Sequence, residues 1–223
     1  MILKNSFHFN FDIFDEWKRT NNYFLIIFYI KKYKFILLYL LNKMNKNCKE
    51  NNMFYIDYVT KEKATGIMKE LYDKLEPLGL PGPVLVKSIV PKLSESNLKT
   101  LEIVNSGETI SISVATAIRY IMSVRIHSAY CTNYNGKILE LGGFTKEDLD
   151  TLGKETASPK FSPKENALIK FACDSVQNPM SVDENRFNEV KSLGWSDEAM
   201  LVAVTNAADL VAGVTVFKVF QKK

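Results

Sequence analysis

Two short stretches of this chain repeat one pattern, and that pattern favours helices over any other architecture. Leu141-Gly142-Gly143-Phe144-Thr145-Lys146-Glu147 recurs as Ser192-Leu193-Gly194-Trp195-Ser196-Asp197-Glu198. Each reads as a helix end, a glycine that closes it, an aromatic side chain to bury, and a Thr or Ser that caps a new helix. Repeated helix-turn-helix units imply an all-α duplication with two similar halves.

The rest of residues 53–223 reads the same way. Thr65 is placed to cap a helix with Ile67, Met68, Leu71 and Leu75 on one side and Glu70 and Lys74 on the wet side. Pro77, Gly79 and Pro81-Gly82-Pro83 end it in a stiff connector. Pro91 suits the next helix start, with Leu93, Leu98, Leu101 and Val104 buried before Asn105-Ser106-Gly107 stops it. Residues 110–114, ISISV, alternate as a strand does, but the run is short and has no partner. It is read as a helix start capped by Thr109 or Ser111. Ser162-Pro163-Lys164-Glu165 and Ser181-Val182-Asp183-Glu184 have capping-box spacing, so helices are expected over 163–176 and 182–192, parted by Asn178-Pro179. The last helix begins after Ser196 and carries Met200, Val204, Ala207, Ala208, Val211 and Val214.

The chemistry concentrates between Thr116 and Leu149. Ile118, Ile121, Met122, Val124, Ile126 and Ala129 run almost all the way round one helix, which predicts burial on most sides. Polar groups inside such a helix need a reason. His127, Cys131 and Asn135 are spaced i, i+4, i+8, and Ser128, Cys131 and Asn135 i, i+3, i+7, so on a continuous helix they share one stripe. An imidazole one turn from a thiol favours the reactive thiolate. The plainer alternative is equally physical: a buried cysteine acting as a small hydrophobe and a hydrogen-bonded histidine at the rim of the core.

This region resembles the alkylhydroperoxidase D and carboxymuconolactone decarboxylase-like family. Its redox branch carries C-x-x-C-x-x-x-H on the active-site helix, followed eight residues later by a glycine that opens G-[hydrophobic]-[ST]-x-[ED]. Anchored on Gly143-Phe144-Thr145-Lys146-Glu147, Cys131 takes the second cysteine position, Ser128 the first, and Asn135 that of the histidine. The family's acidic proton relay, about three turns before the first cysteine, falls on Thr116, and the only acid nearby is Glu108. ATGIMKELYDKL resembles the family's opening helix, and FSPKENALIKFACDSV through GWSDEAMLVAVTNAADLVAGVTVF its second half, so the likeness covers residues 54–220. It implies the family's all-α fold over 53–223, a homo-oligomer, and candidate site residues Cys131, Ser128 and Asn135, to which the one-turn spacing adds His127.

Residues 1–52 differ in composition. They hold nine Lys and Arg against four Asp and Glu, while the remaining residues hold 20 against 21, so the net charge of +4 comes from the front. A near-neutral body gives no electrostatic case for nucleic acid or an acidic membrane. The apolar runs 24–30 and 35–41 are cut by Lys31, Lys32 and Lys34, too short to span a bilayer, and Asp12, Asp15 and Glu16 do not suit a signal peptide. Three readings are open: a start-site artefact with initiation at Met44 or Met53, which is favoured; a disordered or membrane-skimming extension; and a weak anchor. Three cysteines make no even-numbered disulfide framework and no zinc-holding pair, so a reducing, cytoplasmic setting is expected, with no cofactor and no metal.

The leading expectation is a peroxiredoxin-type or alkylhydroperoxidase-type antioxidant oxidoreductase. In it the Cys131 thiolate reduces a small hydroperoxide, with His127, Ser128 and Asn135 assisting, and a separate thiol restores the cysteine. Cys173 lies in an apolar stripe with Ile169, Ala172 and Val176 and is expected to pack in the core. Two alternatives stand beside this. One is cofactor-free lactone or decarboxylation chemistry, for which His127 and Tyr134 are the acid–base candidates. The other is a non-catalytic oligomeric or ligand-binding relative, whose mark is a buried, replaceable Cys131.

Overall fold

The computed structural model describes residues 53–76, 80 and 82–223. The readings of residues 1–52, and of Pro77, Gly79 and Pro81 as connector, lie outside the described residues. Within them the backbone forms nine α-helices: α1 (Gly66–Leu75), α2 (Gly82–Lys87), α3 (Pro91–Asn105), α4 (Ile112–Arg125), α5 (Ala129–Leu141), α6 (Lys146–Glu155), α7 (Pro163–Gln177), α8 (Glu184–Ser192) and α9 (Asp197–Phe220). No strand forms among them. The one bridge pairs Phe54 with Gln221, and the Tyr55 and Lys222 amides donate to Phe220 and Met53 carbonyls at 2.9 and 3.0 Å. Phe54 is fully buried beneath it, edge-on to Phe217.

α4 is the hub, packed on α3, α5, α6, α7 and α9. The ISISV run starts it because Ser111 caps it, its hydroxyl accepting from the Val114 amide at 3.2 Å. Ile118, Ile121 and Met122 are then sealed against Leu168, Ile169, Ala203 and Ala207, each large side chain contributing roughly 1.5–3 kcal/mol on leaving water. α9 is apolar on all sides, and by length and composition alone it could cross a membrane; in this fold it packs on α2, α3, α4 and α7. α2 approaches it so closely that a Cβ on Gly82 would lie 2.2 Å from the Phe217 ring.

The repeated junctions form as their residues dictate. Gly143 and Gly194 have φ of +89° and +85°, and Thr145 and Ser196 accept from Asp148 and Ala199 amides. In each copy a lysine reaches back to the glycine carbonyl, Lys160 to Gly143 at 3.2 Å and Lys164 to Gly194 at 2.8 Å. Phe144 is buried against Phe161, and Trp195 donates to the Lys164 carbonyl.

Four local expectations are corrected. The helix expected to run through His127 ends at Arg125 and restarts at Ala129. Leu93 is 53% exposed, and its neighbour Ser94, 3% exposed, takes the inward position. Ser181 ends a short 3-10 turn, so Asp183 caps α8 by accepting from the Arg186 amide at 2.8 Å. Ala208 faces outward from α9, while Ala203, Ala207 and Leu210 face in.

Candidate functional site

A second, smaller apolar cluster forms where Met68, Leu71 and Tyr72 of α1 pack with Val84, Leu85 and Leu98 of α2 and α3. Between it and the main core lies a cavity of about 190 Å³. Leu71, Leu75, Leu98 and Leu101 line one side, and Leu210 and Val214 of α9 another. Cys131, Asn135, Tyr130 and Tyr134 enter from α5, Arg119 from α4, Lys87 from α2, Ser94 and Asn97 from α3, and Asp209 from α9. The seam thus gathers most of the fold's unusual polar groups inside apolar walls.

The sequence-predicted residues separate. Cys131, 8% exposed, and Asn135 share the cavity wall, with the Asn135 amide donating to the Cys131 carbonyl at 2.8 Å. Ser128 is buried at the head of α5 but does not line the cavity. His127 is exposed in the turn between α4 and α5, at φ +52°. Its amide donates to the Val124 carbonyl and the Ser128 amide to the Ser123 carbonyl, the paired bonds of a Schellman motif with histidine in the glycine position. Gly143 ends α5 with the same pair, since its amide and that of Phe144 donate to Glu140 and Leu139. The imidazole is therefore a cap residue outside the cavity, and the one-turn His127–Cys131 pairing does not form. Thr116, in the relay position, is buried and donates to the Ile112 carbonyl, and Glu108 is exposed.

Arg119 stands where the histidine was expected. It projects from the otherwise apolar middle of α4, donates to Asn206 Oδ1 at 3.3 Å, and is held there because Asn206 itself donates to the Ala115 carbonyl at 2.9 Å. Burial draws the guanidinium below its ordinary value, opposed by its neighbours Cys131, Tyr134 and Asp209. The same burial raises both phenols, with Tyr134 and Cys131 adding to the effect on Tyr130 and the Arg119 cation opposing it at Tyr134. They stay protonated and able to donate at neutral pH. The two rings stack at 6.2 Å. Lys87 is drawn down by burial, opposed by Asp209, and donates to Asn97 Oδ1.

Cys173 is fully enclosed beneath α4, with its thiol against the Ile118 carbonyl. Burial pushes it up to about 12. Both described cysteines are free thiols. No three His, Cys, Asp or Glu side chains gather as a metal site among the described residues.

Sequence reasoning passed over Arg119, Ser94, Lys87 and Asp209. Arg119 and Asp209 had a legible signal, each a charge inside a helix apolar on nearly all sides, whereas Ser94 sits on a mixed helix and Lys87 at the end of a six-residue one, where spacing alone does not say which way a side chain faces.

No family model and no curated protein matches the sequence. In fold the chain is similar to the crystal structure of the alkylhydroperoxidase AhpD core of an uncharacterized peroxidase-related protein from Ralstonia eutropha JMP134, with a TM-score of 0.65 over 75% of this chain and 90% of that one. At 13% identity the likeness is one of fold: the described residues have the all-α AhpD-core architecture, and the chemistry must be argued from the cavity.

Proposed function

We propose that this chain is a one-cysteine thiol peroxidase of the alkylhydroperoxidase kind. The observation that carries the reading is Cys131 in the wall of an apolar cavity beside Arg119, while Cys173 is sealed away. The nucleophile in such chemistry is a thiolate, and the cavity supplies a cation in the same wall to pair with it. The thiolate sulfur attacks the distal oxygen of a hydroperoxide ROOH. An S–O bond forms, the O–O bond breaks, sulfur loses two electrons, and RO⁻ leaves and takes a proton from Tyr134 or water to become ROH. The cysteine is left as a sulfenic acid.

Ser128 carries no thiol to resolve it, and Cys173 is enclosed. An external thiol therefore condenses with the sulfenic acid to a mixed disulfide and water, and a second thiol releases Cys131. To this reading belong a small hydroperoxide as substrate and a homo-oligomeric assembly. Cofactor-free acid–base chemistry fits less well, because Tyr134 is in the cavity but His127 is not.

Sulfenic-acid trapping on the reduced full chain at low hydroperoxide tests it. Rapid labelling that vanishes in Cys131→Ser and slows about tenfold or more in Arg119→Met is expected. Labelling at the rate of an ordinary free thiol, indifferent to Arg119, would sink it.

A further inference from the structure

Arg119 poses a question that thiol chemistry does not answer. A guanidinium taken into an apolar setting is normally paired with a carboxylate, yet among the described residues Arg119 makes no ion pair, and its one hydrogen bond goes to the Asn206 amide. Lys87, in the same wall, makes none either. Asp209 sits near both without closing on either within ion-pair distance. With Cys131 as its thiol, the cavity's ionised side chains among the described residues are two cations and one anion. A third, independent sign lies opposite. The Ser94 hydroxyl, nine-tenths and more buried and lining the same space, has no hydrogen-bond partner, and an orphaned buried hydroxyl is destabilising unless something fills its need.

We infer that the cavity is a binding site for a small apolar monocarboxylate, its carboxylate seated on Arg119 and its body among Leu71, Leu75, Leu98 and Leu101. The carboxylate replaces the missing counter-charge of Arg119, and a fork-shaped guanidinium suits two carboxylate oxygens. Lys87 adds a second positive centre and Ser94 a hydrogen bond. The volume, about 190 Å³, is somewhat above the ~150 Å³ cavity that takes up benzene, so a body of about six to eight carbons fits and a long acyl chain does not. The site stands whether or not Cys131 turns over. If it does, the same contacts select hydroperoxides that carry an acid group, and the bound body lies against the thiol.

Calorimetric titration of the full chain with hexanoate, benzoate, hexan-1-ol and hexylamine tests this directly, with the rate of Cys131 alkylation by iodoacetamide as a second readout. Hexanoate and benzoate should bind and slow alkylation, hexanol about tenfold or more weakly, and hexylamine weakest of all. Arg119→Met should remove the preference for acid over alcohol while leaving hexanol binding within about twofold, and Ser94→Ala should weaken hexanoate several-fold. Equal binding of acid and alcohol, preference for the amine, or no binding of any acid at millimolar concentration overturns the proposal. The wild-type ligand series decides the matter even if a variant fails to fold. Because binding is measured apart from sulfenate formation, a failure of either reading is distinguishable from a failure of the other.

Discussion

The two described cysteines belong to one apolar core and differ in almost everything else. Cys131 stands where α5 meets the seam between the two clusters, beside a guanidinium, two phenols and an open cavity. Cys173 stands in the middle of α7 under α4, surrounded by Ile169, Ala172 and other fully buried side chains. Among the described residues its one hydrogen-bond contact is the Ile118 carbonyl, at 3.9 Å. Burial by itself makes a thiol inert, and burial beside a cation and a cavity is the arrangement that reactive cysteines use. The small layer α1–α3 makes the difference: α7 packs on α4, α8 and α9, whereas α2 and α3 pack on α9, and α3 also on α4, leaving a gap that α5 lines from the other side.

The sharpest break between them is alkylation of the native protein. Iodoacetamide should modify Cys131 through the cavity and leave Cys173 for global unfolding, so the two rates should differ by about a thousandfold or more in a stable fold. Peptide mapping after timed alkylation reads both sites at once. Comparable rates would mean that α7 opens locally and that the contrast is false.

A second test lies in alkaline pH. A thiol whose folded value is raised to about 12 keeps its proton in the fold while the unfolded chain loses it above about 8.5. The stabilising contribution is fully present below the unfolded value and is lost as pH rises toward the folded one. Between about pH 9 and 12 the wild type should lose up to about 1.4 kcal/mol per pH unit relative to Cys173→Ala, measured by denaturant midpoints. Parallel curves for the two proteins would show that Cys173 is solvated. The neighbouring Asp174 behaves in the opposite sense: burial pushes its carboxyl up, and hydrogen bonds and charges from Lys170 and Arg125 more than offset that, so its contribution fades only as pH falls below the ordinary carboxylate range.

How much of this could be read from the residues varies with the kind of signal. The junctions at Gly143 and Gly194 were legible because glycine, aromatic and cap each state a local geometry. Ser162 and Glu165 were legible for the same reason. Cys173 was legible as core because its stripe is apolar. The cavity was not: it depends on how α1–α3 sit against α5 and α9, a tertiary fact that no periodicity encodes. Leu93 and Ser94 show the limit on a single helix, because the apolar residue faces water at 53% exposure and the hydroxyl faces in. The break at His127 was hidden for another reason, since a Schellman motif without glycine has no letter to announce it.

That hidden break yields the smallest and most discriminating expectation. His127 at φ +52° occupies a conformation that costs an L-residue up to about 1 kcal/mol more than glycine, part of which glycine's greater freedom in the unfolded chain takes back. Gly143 does the same job at the end of α5 without that cost. His127→Gly should therefore raise stability by roughly 0.5 kcal/mol and leave sulfenate formation at Cys131 within about twofold, whereas Arg119→Met leaves the turn intact and slows the chemistry. Both variants need only a denaturation midpoint and a trapping rate. If His127→Gly instead destabilises the fold and silences Cys131, the imidazole reaches the thiol from its turn, and the cation that matters is the histidine rather than Arg119.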